Sequence, residues 1–93
     1  MGAVALAIDN KLRGRFAPTR LSIEDESSRH RGHAGWRDGG ETHFRVEIVS
    51  RAFEGKNRVA RQRLVYEILR DELAGGVHAL ALTTLTPEED DWK

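Results

Sequence analysis

The sequence predicts an α+β domain in which helices cover one face of a three-stranded sheet. Apolar residues recur at helical spacing in two segments, residues 3–16 and 58–73. Apolar and polar residues alternate in residues 19–25 and 41–50, and a third strand is expected over residues 77–85. The order is therefore α-β-β-α(α)-β, and 93 residues are expected to form a single domain around one compact core.

The first helix is predicted from an apolar stripe in residues 3–16. The stripe consists of Ala5, Ile8, Leu12 and Phe16. The dipeptide Ala17-Pro18 is expected to end this helix, because the residue before a proline avoids the α-helical region of backbone conformation.

The two strands that follow are neighbours in sequence, so an antiparallel pair is expected. In the second strand, alternate residues belong to opposite faces of the sheet. The apolar face has Phe44, Val46 and Ile48, and the polar face has His43, Arg45 and Glu47. A long glycine-rich loop, about residues 26–40, connects the two strands.

The second helical region, residues 58–73, is expected to begin after Asn57, whose side chain can accept a hydrogen bond from an N–H group of the first turn. Val59 is expected to mark a break into a short and a longer helix. Gly75-Gly76 ends the region, since glycine tolerates positive φ. Pro87 then opens a short turn or helix within the acidic tail, residues 87–93.

Fifteen basic and fifteen acidic side chains give zero net charge, which argues against a dedicated nucleic-acid-binding protein. A local basic cluster nevertheless lies just before and within the first part of the second helical region. DNA binding through this cluster is therefore an alternative function. The cluster comprises Lys56, Arg58, Arg61 and Arg63. The longest apolar run, AVALAI, is too short to span a bilayer, so no membrane association and a cytoplasmic location are expected.

Histidines in and beside the glycine-rich loop raise the question of metal binding. His30 and His33 form an H-x-x-H pattern in the loop, and His43 follows it. From the residues alone, three interpretations stay open: a metal site, a phosphate-binding loop, or a solvated connection. Zinc held by the three imidazoles is a minor alternative, because no carboxylate is clearly placed as the fourth ligand. His43 is interpreted first as a structural residue of the strand.

No catalytic constellation is evident, so an enzyme is not predicted. Ser27 and Ser28 stand near His30, but in a loop without a rigid oxyanion site. The chain also has no cysteine, and iron–sulfur clusters are usually held by thiolates. It therefore cannot hold such a cluster by itself. His78, near the start of the third strand, is interpreted from the residues alone as a partly buried structural histidine.

Several segments together resemble the BolA family. They are LSIEDES, GETHFRVEIVS, FEGK, RQRLVYEILRDEL, VHALAL and TP, in this order, and the resemblance extends from about the first helix to Pro87. It implies an αββααβ fold similar to the class II KH arrangement. It also implies a cytosolic protein that pairs with a monothiol glutaredoxin, and a family role in transcription and stress responses for bacterial members.

The resemblance further implies a [2Fe–2S] cluster at the interface with the glutaredoxin, with glutathione completing the shell. The family's two ligands correspond to His78 and to a histidine of the loop. His30 is the preferred loop ligand, and His33 is the alternative. The second loop histidine makes this assignment ambiguous, and Gln62 stands where many relatives have histidine. Without its partner the chain is expected to be a monomer or a weak homodimer. The alternative function is a DNA-binding regulator that uses the basic cluster.

Overall fold

The computed structural model describes residues 2–27 and 40–92, and it has the element order expected from the sequence, with a short helix at the end. The elements are α1 (Ala3–Phe16), β1 (Arg20–Asp25), β2 (His43–Val49), a 3-10 helix (Arg51–Phe53), α2 (Arg58–Ile68), α3 (Arg70–Gly75), β3 (Ala79–Leu85) and α4 (Pro87–Asp91). In this part of the chain, no helix is long and apolar enough to cross a membrane.

The three strands form one mixed sheet in the order β1-β2-β3. β1 and β2 are antiparallel, as expected, with Ile23 opposite Val46. β3 runs parallel to β2, with Leu82 opposite Val46. The parallel pairing follows from the connection, because α2 and α3 carry the chain back across the sheet before β3 begins.

The core lies between one face of the sheet and the first two helices. The predicted stripe of α1 is buried, and the apolar face of β2 is at most 2% exposed. Val65 and Leu69 pack into the same cluster from the second helical region. Helical spacing in α1 and alternation in β2 therefore identified the buried faces correctly.

The second helical region is interrupted at Leu69 and not at Val59, so the predicted position of the break was wrong. Asn57 Oδ1 accepts a hydrogen bond from the Ala60 N–H at 2.9 Å and fixes the start of α2, which places Val59 inside the first turn. Leu69 leaves helical geometry (φ −96°, ψ 14°) between α2 and α3 while its side chain stays buried. Leu69 therefore stays packed in the core at the break between α2 and α3.

The two ends of β3 are defined by local signals that the sequence contains. Gly76 has a φ of 150°, a value that side-chain-bearing residues rarely adopt, and it ends α3. Thr86 and Glu89 form a capping box at the start of α4, where Pro87 occupies the first turn. The predicted terminal helix is confirmed, and β3 begins at Ala79, one residue after His78.

Candidate functional site

His78 is exposed to solvent, although its backbone is firmly held at the edge of the sheet. Its N–H donates a hydrogen bond of 2.7 Å to the carbonyl oxygen of Thr42, and the Ala79 N–H donates to the same oxygen at 3.2 Å. The partial burial inferred for His78 from the residues alone was therefore wrong. The residue presents its imidazole to solvent from a fixed position.

His43 supports His78 from the neighbouring strand. Its side chain is buried, and its Nδ1 lies 2.9 Å from Thr42 Oγ1 in a hydrogen bond. The centroids of the His43 and His78 rings are 5.4 Å apart, with an angle of 53° between the ring planes. Burial and hydrogen bonding confirm the structural role predicted for His43, and the structure adds its proximity to His78.

A polar network joins the two ends of the long loop beside this histidine pair. Asp25 accepts hydrogen bonds from the Ser27 N–H at 2.9 Å and from the Glu41 N–H at 3.0 Å. Ser27 Oγ accepts a further hydrogen bond from the Thr42 N–H, at 2.9 Å. We call these four residues, Asp25, Ser27, Glu41 and Thr42, the loop stem. Thr42 belongs both to the loop stem and to the anchor of His78.

Electrostatics in the loop stem keep Asp25 ionised. Partial burial raises the pKa of Asp25, but the hydrogen bonds from Ser27 and from the Glu41 N–H outweigh it, and the pKa is lowered overall. A charge interaction with His43 also lowers the pKa of this carboxyl group. The loop stem therefore depends on a carboxylate that acts only as an acceptor.

Glu41 connects the loop stem to α1. One of its carboxylate oxygens accepts hydrogen bonds from the Val4 N–H at 2.9 Å and from the Ala5 N–H at 3.0 Å. A carboxylate at this end of a helix satisfies unpaired N–H groups and interacts favourably with the helix dipole. Glu41 has a φ of 62° and follows Gly40, whose φ is 73°. This cap was not predicted, because the two segments are far apart in sequence.

His30 and His33, the predicted loop ligands, lie outside the described residues. Zinc binding by His30, His33 and His43 falls outside them for the same reason. Within residues 2–27 and 40–92, no group of three or more histidine, cysteine or acidic side chains is arranged to hold a metal ion. Of the three histidines expected as cluster ligands, the structure therefore describes only His78, which lies beside the loop stem.

The four residues of the basic cluster differ in exposure and in their contacts. Lys56, Arg58 and Arg63 are exposed. In contrast, the side chain of Arg61 is 12% exposed and contacts Glu89 Oε1 through Nη1 at 2.6 Å. Its Nε also donates a hydrogen bond to the Lys56 carbonyl oxygen at 2.7 Å. Arg61 therefore fastens α2 to α4, and only the other three cations face solvent freely enough to meet a phosphate.

Comparisons with known proteins agree on one family. A family profile described as BolA-like protein matches residues 12–89. The chain is 52% identical to Protein BOLA1, chloroplastic, of Arabidopsis thaliana over 85 residues, which are 89% of this chain and 53% of that protein. It is 47% identical to BolA-like protein 1 of Mus musculus over 88 residues, 95% of this chain and 61% of that protein.

A third relative shows that this unit also occurs within a longer protein. SufE-like protein 1, chloroplastic/mitochondrial, of Arabidopsis thaliana is 46% identical over 93 residues, 96% of this chain but 25% of that protein. The chain thus spans between a quarter and about three-fifths of these three relatives. Because two of the names specify organelles, a cytoplasmic location for this chain stays a prediction.

Solved structures support the same fold. The BolA domain of SufE1 from Arabidopsis thaliana superposes with a TM-score of 0.87 and 45% identity, covering 96% of this chain and 98% of that chain. BolA1 from the same plant gives a TM-score of 0.84 with 46% identity and the same coverage of both chains. The mixed three-stranded sheet and its helices are therefore shared with these domains.

Proposed function

Because this chain belongs to the BolA-like protein family, we propose that it binds a monothiol glutaredoxin and shares a [2Fe–2S] cluster with it. The role is one of binding and transfer, in iron–sulfur trafficking or iron sensing, and not of catalysis. The observation that carries the proposal is the exposed imidazole of His78, held at a fixed place beside the loop stem.

The donor set of this chain suits a shared cluster. Histidine nitrogens can replace cysteine sulfurs on one iron of a [2Fe–2S] centre, as in Rieske proteins. The chain has four histidines and no cysteine, so every thiolate must come from the glutaredoxin or from glutathione. An exposed imidazole is accessible to such a partner, whereas an interior one would not be.

The position of the loop stem favours a second cluster ligand from the loop. The residues that flank the undescribed segment, Ser27 and Gly40, lie next to Thr42, whose carbonyl oxygen binds the backbone of His78. A loop anchored in this way begins and ends close to His78. We propose His30 as the second ligand, with His33 as its alternative.

The contribution of each described residue follows from these contacts. His78 offers an imidazole nitrogen, Thr42 fixes the backbone position of that residue, and His43 packs beside its ring. When bound, the cluster supplies iron and sulfide that a recipient can accept or that a regulator can sense. Packing against the buried His43 limits the orientations open to the His78 ring.

A reconstitution experiment tests this function. The glutaredoxin is loaded with iron, sulfide and glutathione, and this chain is then titrated in while visible circular dichroism is recorded. We expect a new spectrum that saturates at one equivalent of this chain per glutaredoxin. A spectrum identical to that of the glutaredoxin homodimer at every ratio would refute the proposal.

DNA binding is the alternative function, and the exposure of three cations is the observation that favours it. Lys56, Arg58 and Arg63 lie near the start of α2 and are all exposed. Binding through them should weaken steeply as salt increases, because each phosphate contact releases a counterion. The zero net charge of the chain places this function second. Fluorescence anisotropy with labelled duplex DNA at several salt concentrations distinguishes the two functions.

A further inference from the structure

β3 is an edge strand of the sheet. Along it, the backbone N–H and C=O groups of successive residues point alternately toward β2 and away from it. The Ala79 N–H donates a hydrogen bond to the Thr42 carbonyl oxygen, and the Leu85 carbonyl oxygen accepts one from the Ser50 N–H. The odd-numbered residues of β3 therefore bond to β2. In a parallel pair, the backbone groups of the intervening residues point away from the partner strand.

Two outward-facing residues of β3 have open backbone groups. Among the described residues, Arg61 Nη1 lies 3.4 Å from the Thr84 carbonyl oxygen and so occupies one outward position. No hydrogen bond from another described residue reaches the outward N–H and C=O groups of Leu80 and Leu82. The open stretch of the edge therefore extends from Leu80 to Leu82 and is centred on Ala81.

The side chains of β3 lack the features that usually protect an edge strand. Its sequence, ALALTTL, has no charged residue and no proline, and Ala79, Ala81 and Thr83 are exposed. The other edge strand, β1, contains Arg20, Glu24 and Asp25. Charges and prolines on edge strands prevent pairing with further strands, so β3 is the edge that permits it.

We propose that β3 pairs antiparallel with β3 of a second copy of this chain, so that two sheets form one six-stranded sheet. Leu80 of each copy lies opposite Leu82 of the other, and each such pair exchanges two backbone hydrogen bonds. The two-fold axis passes beside Ala81. This register uses the open backbone groups of Leu80 and Leu82 in both copies.

The properties of the open stretch favour a second copy over a different strand. The open groups are symmetric about Ala81, as a two-fold axis requires. At the axis, two Ala81 residues form a non-hydrogen-bonded pair, in which the Cα atoms approach to about 4.5 Å, and small side chains fit this spacing. Because β3 is uncharged, self-pairing brings no like charges together. Leu80, which is only partly buried in one copy, gains apolar contact.

A contact of this size is small, so the dimer is weak and should form at high protein concentration. The first measurement is sedimentation equilibrium of the chain alone, up to about 1 mM, where a modest interaction energy suffices for association. No glutaredoxin or iron is added, so the result does not depend on the function proposed above. We expect the weight-average mass to rise from that of a monomer toward that of a dimer.

Charge substitutions at the two-fold axis provide the decisive comparison. Ala81→Lys and Ala81→Glu each place like charges on directly opposed residues of the dimer and should weaken self-association by about fivefold. An equimolar mixture of the two variants places opposite charges together and should restore dimers. Ser22→Lys and Ser22→Glu are matched controls at an exposed position of β1, and both should associate as the unchanged chain does.

Circular dichroism of each variant confirms that it is folded. The inference is overturned if the unchanged chain stays monomeric over the whole concentration range. It is equally overturned if Ala81→Lys associates as strongly as the unchanged chain, if the mixture associates no better than its components, or if the Ser22 controls lose association too.

Discussion

The rings of His43 and His78 lie 5.4 Å apart between centroids, one buried and the other exposed. Thr42 contacts both residues: its hydroxyl group bonds His43 Nδ1, and its carbonyl oxygen accepts the His78 N–H. A buried, hydrogen-bonded imidazole therefore limits the space available to an exposed one. The buried histidine is thus structural, whereas the exposed one is the residue that we propose as a cluster ligand.

Replacing His78 by alanine should abolish the spectrum of the shared cluster while leaving the fold intact. Because the side chain is exposed, the free energy of unfolding should change by less than about 0.5 kcal/mol. Visible circular dichroism with loaded glutaredoxin and urea denaturation of the chain alone measure the two effects. Thr83→Ala, at an exposed position of β3, is the control and should keep the spectrum. An intact spectrum in His78→Ala would remove this residue from the ligand set.

Replacing Asp25 by asparagine should reduce stability at neutral pH and alter the pH dependence of unfolding. The pKa of Asp25 is lowered in the folded state, so its contribution is present above the unfolded value of about 3.9 and is lost as pH falls through the folded value. We expect a loss of about 1 kcal/mol at pH 7 from weakened hydrogen bonds.

The difference between Asp25→Asn and the unchanged chain should narrow as the pH is lowered from 5 toward 2, roughly the range over which such a carboxylate titrates. Urea denaturation at a series of pH values follows it. Asp91→Asn, at an exposed position near the end of α4, is the matched control and should leave the profile unchanged. A constant difference at every pH would show that the carboxylate charge is unimportant in the loop stem.

Replacing Arg61 by alanine should loosen α4. The hydrogen bond from Arg61 is the main reason that the pKa of Glu89 is lowered, so this pKa should rise toward its ordinary value in the variant. The melting temperature should fall by about 4 °C, because the contacts of Arg61 with the Lys56 and Thr84 carbonyl oxygens are lost as well.

Carbon-detected NMR titration of the glutamate carboxyl groups and thermal unfolding measure these changes. Arg63→Ala is the matched control, since Arg63 is exposed on the same helix and should affect neither quantity. In the DNA-binding assay, Arg63→Ala should instead have the larger effect if the alternative function holds. An unchanged Glu89 titration in Arg61→Ala would contradict the role of Arg61 as a link between α2 and α4.

Replacing Glu41 by alanine should fray the first turn of α1 at a cost of about 1 kcal/mol, the usual value of a lost helix cap. Hydrogen exchange at the Val4 and Ala5 amides should accelerate, because both lose their acceptor. Glu54→Ala, at an exposed turn position, is the control. Unchanged exchange at both amides would mean that the Glu41 carboxylate is not their acceptor in solution.

Structural features that depend on residues close together along the chain could be predicted from the sequence. Helical spacing located α1 from Ala3 to Phe16, alternation identified the buried face of β2, and Asn57 and Pro87 marked helix starts. The order of the segments that resemble the BolA family led to the correct family and fold. These features depend on backbone geometry and on side chains that are close along the chain.

Contacts between distant segments were decided by the tertiary structure alone. The parallel alignment of β3 with β2 brought His78 beside His43, and the fold placed Glu41 at the start of α1 and Arg61 beside Glu89. No local pattern distinguishes an arginine that faces solvent from one that binds α4, or a surface glutamate from a helix cap. Such contacts form only when packing of the core fixes the relative positions of the elements, so their partners cannot be derived from local sequence.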